Sequence, residues 1–524
     1  MPAKEATPFS LALDRRVEEG ALGTLYEKLA ENEVRCYACA HRCLIKDGLR
    51  GICKVRYNRG GNLMVPRGYV GALQCDPIEK KPFFHAFPGT DALTFGMLGC
   101  DLHCSYCFTG DARVATNSGM QKFADLWVQS IPLSKADPQQ REPPEGLTAT
   151  GGDGRQHRVL QIFRHDYEGE VVRLAPRLLK PFEATPDHPV LATTAPGRNE
   201  PNFVRAGQLT TRHFLCAPFG GELDYLAVDE VRRRQYRGPV FNLETDGPHT
   251  YLANNAVVHN CQNWVTSQAL RDPGALTEPM DITPRQLVDI ASAQRASVVA
   301  TSYNEPLITS EWAVEVFKEA RPRGFSTAYI SNGNATEEVL EFIRPYTDLY
   351  KIDLKSFRDK NYRSLGGKLE NILNGIRMVH QMGFWLEIVT LIIPGFNDGD
   401  EELGDIARFL AGLSPSIPWH VTAFHKDYKM QDPDNTTPQT LLRAARIGEA
   451  AGLEYIYAGN LPGRVKPYED TRCPRCKSTL IRRIGYRILE DRLTGVGRCF
   501  KCGQGIPGVW DAASATTINA GRAY

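Results

Sequence analysis

The sequence predicts an α/β fold: a partial (β/α)6 barrel, interrupted by an inserted all-β domain and flanked by a small cysteine-rich module at each end. Three observations carry this reading. Apolar β-prone runs alternate with amphipathic helical stretches outside residues 107–260. Inside that interval, short β-prone runs punctuated by Gly, Pro and Asp take over, without sustained helical periodicity. The cysteines gather in closely spaced sets near both termini and at one point between them.

Bulk properties narrow the classes of function. A chain of 524 residues suggests several domains. Its 62 basic and 61 acidic residues leave a net charge of +1, so no electrostatic footprint for nucleic acid or an anionic membrane is expected. The N-terminus is too charged for a secretory apolar region, and runs such as 386–393 are too short to cross a bilayer. The expected location is cytoplasmic. In that reducing setting, fourteen cysteines at tight spacings read as metal ligands rather than disulfides.

Taken in order, residues 1–75 form an expected N-terminal module. Its Cys36, Cys39, Cys43 and Cys53 follow a C-x2-C-x3-C-x9-C pattern with His41 nearby. Zinc is the default occupant and an auxiliary iron–sulfur cluster serving electron transfer the competitor, because spacing alone does not select the metal. The expected barrel core comprises 76–106 and 261–460. Strands are expected at 94–98, 297–303, 326–331, 349–354, 385–393 and 419–424, with helices at 283–295, 311–319, 337–344, 369–381, 401–413 and 438–450. Six such units predict a TIM-like partial barrel with its chemistry at the C-terminal strand ends. The insert is expected at 107–260, with strands including 171–175, 189–193 and 240–243 and a mobile loop over 139–155. At 465–512, Cys473, Cys476, Cys499 and Cys502 form two C-x2-C knuckles 22 residues apart, the spacing of a structural zinc ribbon. Rubredoxin-like iron is the less favoured occupant. Cys75 and Cys216 stand alone and are expected to be buried as small apolar groups.

One cysteine motif is written twice. Gly99-Cys100-Asp101-Leu102-His103-Cys104-Ser105-Tyr106 runs into Cys107, and Val258-His259-Asn260 runs into Cys261-Gln262-Asn263-Trp264. Removing 107–260 joins the flanks as CDLHCSYCQNW, a C-x3-C-x2-C array of Cys100, Cys104 and Cys261.

The segment 107–260 resembles an intein. Cys107-Phe108-Thr109-Gly110-Asp111 is similar to an intein start, Thr185-Pro186-Asp187-His188 to the internal T-x-x-H block, and His249 through Asn260 followed by Cys261 to the terminal blocks. The resemblance implies that Cys107 attacks the carbonyl before it, giving a thioester, with Thr185 and His188 polarising that amide. Cys261 then takes over the acyl group, and Asn260 cyclises with proton transfer assisted by His249 and His259. Taken singly, such residues also serve as ordinary hydrogen-bonding groups of an inserted β domain; the restored second motif favours excision. Asn242 departs from the Asp often found in the family, which puts the rate of splicing in question. No homing endonuclease is expected in so short an insert.

Three thiolates on one loop can hold three irons of a [4Fe-4S] cluster and leave one iron open, whereas zinc favours a closed set of four. The joined array resembles the signature of radical S-adenosylmethionine (SAM) enzymes. The resemblance implies SAM contacts from Asn304 and Glu305 in YNEP, Asn332 in SNGN, Asp353 and Lys355 in the D-x-K element, and His425 after the sixth strand. The PGFND segment 394–398 also ends a strand, though as turn chemistry on its own. Together with CYACAHRC, DPIEKKPFFHAFPG, WHVTAFHKDYKM and the final cysteine pairs, the chain is similar to radical SAM members of the AmmeMemoRadiSam system, related to pyruvate formate-lyase activating enzyme. That resemblance implies an electron donor such as flavodoxin or ferredoxin, an unknown small-molecule or protein substrate, and the other AmmeMemoRadiSam proteins as partners. Activation of a partner enzyme through a glycyl radical is one alternative; a non-enzymatic zinc-scaffold protein with a decayed barrel is another.

Overall fold

The computed structural model describes residues 16–17, 20–102, 108–134, 137–151, 154–186, 188–197, 201–219, 222–245, 250–259, 279–425, 435–494 and 497–510. An eight-stranded sheet builds the host barrel, with strands β1 (Ala72–Pro77), β2 (Asp91–Gly96), β3 (Val298–Thr301), β4 (Ser326–Ser331), β5 (Leu349–Asp353), β6 (Trp385–Ile392), β7 (Trp419–Ala423) and β8 (Ile456–Gly459). Strands β2 to β8 are parallel neighbours, and β1 is antiparallel to β2 at one edge. The sheet runs as an open path from β8 to β1, so it forms an arc rather than a closed barrel. The expected six strands are present; the short seventh parallel strand and the antiparallel edge are additions. β1 also runs across the boundary expected at residue 75.

Helices α1 (Pro284–Ala293), α2 (Ser310–Ala320), α3 (Glu337–Ile343), α4 (Leu369–Gln381), α5 (Asp400–Leu413) and α6 (Pro438–Ala450) connect the parallel strands. Local chemistry sets their starts. Thr283 and Gln286 form a capping box on α1, with Pro284 at the first helical position. Thr336 and Thr437 cap α3 and α6 by accepting the Val339 and Thr440 amides. Their apolar faces, including Val316, Phe317, Ile376 and Leu410, pack on one face of the sheet.

The other face is closed at one end by the DPIEKKPFFHAFPG segment. Ile78, Phe83, Ala86 and Phe87 pack with Ala92, Ala300, Ala328 and Leu349 and with Val509 from the C-terminal module. Buried Glu387 on β6 fixes this plug by accepting the Phe84 and His85 amides at 3.0 and 2.9 Å and His420 Nε2 at 2.7 Å. Burial opposes charge on Glu387, but His420 and the amides outweigh it and hold the carboxyl below its usual range. The N-terminal module shares the host core through Val34, Ile45, Val55, Leu63 and Val65. Buried Arg56 ties it to α2 by an ion pair with Glu311 and a 2.9 Å bond to the Ile308 carbonyl.

The insert folds around its own apolar cluster, which includes Phe108, Phe123, Ile162, Val172, Phe241, Tyr251 and Val258 and, among the described residues, contains no host residue. Its backbone is two long antiparallel strands, Gln156–Pro176 and Glu222–Thr245, joined by shorter strands into one 14-stranded sheet, with a seven-residue helix at Phe123–Gln129. The loop expected over 139–155 is largely ordered: Asp137–Glu142 and Thr148–Thr150 are strands. Leu147 and Ala149 are buried, and Thr148, Ala149 and Thr150 pair with Arg158, His157 and Gln156. Cross-strand pairing overrode a composition that reads as loop. Cys216 is buried as expected, but Cys75 is half-exposed because it lies on the edge strand β1.

Candidate active site at the barrel mouth and the insert junctions

Beyond β2 the chain turns through Gly99 at φ +96°. A Cβ there would lie 2.8 Å from Val55 Cγ1 and 2.9 Å from the Cys53 carbonyl, so only glycine lets the cysteine loop pass against the N-terminal module. Cys100 follows, reduced and partly exposed. Soft thiolate ligands suit iron–sulfur or zinc chemistry, and Cys100 stands at the strand end where such a fold places it. Cys104, Cys107, His249, Asn260 and Cys261 lie outside the described residues, and of His259 only the backbone is described.

Neighbouring strand ends converge on this loop. Asn304 accepts the Met97 amide at 3.1 Å. Glu305 is buried, and its carboxyl takes the Ser331 hydroxyl at 2.7 Å, the Asn332 amide at 2.7 Å and the Leu307 amide at 3.2 Å. Burial and then the charge of Asp101 push Glu305 up to about 8. Asn332 donates its side-chain amide to Asp101 at 2.8 Å. Thus Glu305 and Asn332 are engaged inside the protein, whereas Asp353 and Lys355 are about one-third exposed at the end of β5. Lys351 Nζ lies 2.6 Å from Asp353, and Lys355 Nζ lies 3.8 Å away. Burial works against the Asp353 charge, yet these two ammonium groups hold its carboxyl below the usual range. Asn397 of PGFND pins the Lys355 carbonyl at 2.8 Å, so this turn positions the D-x-K element. His425 is exposed beyond β7.

Sequence reasoning missed Asp101, Lys351 and the plug. Asp101 reads as spacer within a cysteine motif. Lys351 was legible in the alternation Lys351, Asp353, which puts two charges on one face of β5 just before Lys355.

In the insert, Phe108 lies between two strands, opposite Ala184 on one side and Phe241 on the other. Ala184 leads into the Thr185-to-His188 turn, closed by the His188 amide on the Thr185 carbonyl at 3.0 Å and held by Ala206 and Gly207 amides on the His188 and Pro186 carbonyls. The next strand, Pro189–Thr193, pairs through Val190 with Val258 of Ala256–His259. Both ends of the insert therefore flank one turn. Thr185 and His188 are buried there, and the His188 ring stands 3.8 Å from that of Phe108. Asn242 is buried and accepts the Tyr251 hydroxyl and the Leu243 amide.

The four C-terminal cysteines have all their sulfurs within 4.8 Å of one another, with Cys473–Cys502 and Cys476–Cys499 each at 3.6 Å. A tetrahedral zinc with sulfur ligands at ~2.3 Å spaces its sulfurs about 3.8 Å apart, so the group fits a metal. Among the described residues it is the set that meets this distance; Cys36, Cys39, Cys43 and Cys53 share one module but do not form such a set.

A model of the radical SAM superfamily matches residues 260–410. The host carries a radical SAM domain. An uncharacterized protein of Methanocaldococcus jannaschii is 24% identical over 484 residues, 92% of this chain and 97% of that one, a span that runs through the insert. The pyruvate formate-lyase-activating enzyme of Staphylococcus aureus is 23% identical over 36% of this chain and 81% of its own, and the isethionate sulfite-lyase activating enzyme of Oleidesulfovibrio alaskensis is 31% identical over 24% and 43%. Among solved structures, an intein from a hyperthermophile aligns over 30% of this chain and all of its own, at 19% identity and a TM-score of 0.26. A domain of pyruvate-formate lyase-activating enzyme from Bacteroides vulgatus aligns over 31% and 98%, at 24% identity and a TM-score of 0.27. No helix among the described residues is long and apolar enough to cross a membrane.

Proposed function

We propose that the chain is a self-splicing precursor of a radical SAM enzyme. The observation that carries this reading is the doubled cysteine motif: removal of 107–260 leaves Cys100, Cys104 and Cys261 as one C-x3-C-x2-C array after β2. These three thiolates would hold a [4Fe-4S] cluster. When bound, the cluster supplies the electron that cleaves SAM to methionine and a 5'-deoxyadenosyl radical. Asp353 and Lys355 offer opposite charges to the amino and carboxylate groups of SAM, with Lys351 and Asn397 holding them in place. Asn304 and His425 stand beyond β3 and β7, two strands to either side of β5. The four C-terminal cysteines would hold a structural zinc.

In the insert, the Cys107 thiol attacks the Tyr106 carbonyl and the amide nitrogen leaves as the Cys107 amine. Thr185 and His188, at the turn beside Phe108, polarise that amide and protonate the leaving nitrogen. The Cys261 thiolate accepts the acyl group from Cys107. Asn260 cyclises onto its own carbonyl, which frees the insert and the Cys261 amine, with His249 and His259 moving the proton. The acyl group then passes from sulfur to nitrogen and joins Tyr106 to Cys261.

The names of several relatives favour a second reading of the substrate, a glycyl-radical enzyme activated as a protein partner. Anaerobic reconstitution with iron and sulfide, followed by assay for 5'-deoxyadenosine from SAM, tests the radical reading. A chain that holds zinc and no four-iron cluster contradicts it. Cys107→Ala is expected to stop excision; excision that persists contradicts the splicing reading.

A further inference from the structure

We propose that the metal at Cys473, Cys476, Cys499 and Cys502 latches the closed end of the host barrel: while it is held, residues 505–509 stay seated against the plug, and when it leaves, that segment and the plug loosen together. The inference rests on the metal reading of these cysteines. Two small sheets carry the ligands. Cys473 follows Thr471–Arg472, which pairs with Thr479–Ile484, and Cys499 ends Arg498–Cys499, which pairs with Leu493–Thr494. Among the described residues no strand pairing joins the two sheets. Shared apolar packing apart, the sulfurs bring them together, Cys473 with Cys502 and Cys476 with Cys499. So small a module buries little core of its own, and such modules usually need a metal or disulfides.

Each side of the module grips the plug. From the first sheet, Arg483 donates to the Phe84 carbonyl at 2.9 Å and lays its guanidinium over the Phe84 ring at 4.4 Å. Beyond the second knuckle, the Val509 amide donates to the His85 carbonyl at 2.7 Å and its carbonyl accepts the Phe87 amide at 2.9 Å. The Val509 side chain packs inside the barrel with Phe83, Ala300 and Leu349. A Cβ on Gly508 would lie 2.7 Å from the His85 carbonyl, so this segment runs flush against the plug.

One buried hydrogen-bond chain crosses module, barrel and plug. Arg483 Nη1 donates to Thr471 Oγ1 at 2.7 Å, that hydroxyl to the Tyr457 hydroxyl of β8 at 2.9 Å, Tyr457 to His85 Nε2 at 2.6 Å, and His85 Nδ1 to the Pro507 carbonyl at 2.6 Å. The direction follows from the last link, since a carbonyl only accepts. Cys473 and Cys499 lie in one apolar cluster with Phe84, Tyr455, Tyr457 and Ile506. Free thiols bond only weakly. Without the metal, the arm 497–509 loses its tie to the first sheet, and the plug keeps the barrel-side hold of Glu387. Linkage then requires the reverse effect: a weakened plug must weaken metal binding.

Hydrogen-exchange mass spectrometry on the expressed chain, loaded with zinc and after its removal by a chelator under reducing conditions, tests this. Removal should speed exchange at 83–87 and 497–509 roughly tenfold or more, as for segments that pass from packed to open, while 326–331 and the insert strand 156–176 keep their protection. Phe84→Leu leaves all four cysteines in place and should yield its zinc to a competing chelator several-fold more readily than wild type. Should the metal-free chain unfold throughout, Phe84→Leu decides alone: weakened zinc binding supports the latch and unchanged binding overturns it. A wild-type chain that binds no zinc overturns the metal reading and this inference with it, whereas zinc that binds and leaves exchange at 83–87 unmoved on its removal overturns this inference alone.

Discussion

In the host, candidate residues sit at the ends of separate parallel strands and are held by side chains of the same strand or of loops beyond other strands: Asn332 by Asp101, Lys355 by Asn397, Asp353 by Lys351. In the insert, Thr185 and His188 sit on one turn, and the described strands beside both junctions flank it. The apolar cores differ in the same way. The host core draws on the N-terminal module, the helices and the sheet, whereas the insert core holds residues of the insert alone. An element that shares no core with its host can leave without opening a cavity in it.

The largest effect that separates the two regions comes from the one residue assigned to both. Cys261→Ala should abolish ligation and leave the array with two lasting thiolates, seen as absence of joined product by mass spectrometry and loss of iron on reconstitution. Normal ligation together with a full cluster would break the comparison.

Next in size is the plug. Glu387→Ala strips the Phe84 and His85 amides and His420 of their shared acceptor and should cost about 1–3 kcal/mol of host stability for each buried group left unsatisfied, read by urea titration. The insert, with its separate core, should excise at the wild-type rate once folded.

A third test uses pH. The Glu305 carboxyl is held up to about 8 in the folded chain against a usual value near 4.5. Its contribution is present below the unfolded value and is lost as pH rises through the folded one, because the native state binds the extra proton between them. Wild-type stability should therefore fall from about pH 4.5 to about pH 8, and Glu305→Gln should flatten that slope. An equal slope in both proteins would remove the buried carboxyl from the account.

The smallest effect is expected in the insert. Tyr251→Phe removes the hydroxyl that bonds Asn242 and should cost about 1 kcal/mol, measured on a Cys107→Ala background so that excision does not intervene. A cost several times larger would mark the pair as a keystone of the insert rather than a local contact.

Much of the barrel was legible because fully buried parallel strands write themselves as continuous apolar runs: residues 326–331 and helices 369–381 and 438–450 match the observed elements end to end. Ile456–Gly459 escaped notice because a four-residue strand lacks a period to read, and Ala72–Pro77 because its polar residues face an edge. Strand pairing in the insert could not be read at all; it joins residues such as Val159 and Thr245 that only long-range contacts bring together. Motif spacing pointed to Thr185, His188, Asp353 and Lys355, each tied to a recognisable neighbour in sequence. Asp101 and Lys351 gain their meaning from partners on other strands or from a face of a strand, and the plug gains its meaning from Glu387 some 300 residues away.

The intact mass of the chain expressed under reducing conditions tests the central claim most directly. A product lacking residues 107–260, with Tyr106 bonded to Cys261 in its peptide map, is the predicted result. A stable 524-residue chain that yields neither the joined product nor the free insert would contradict it.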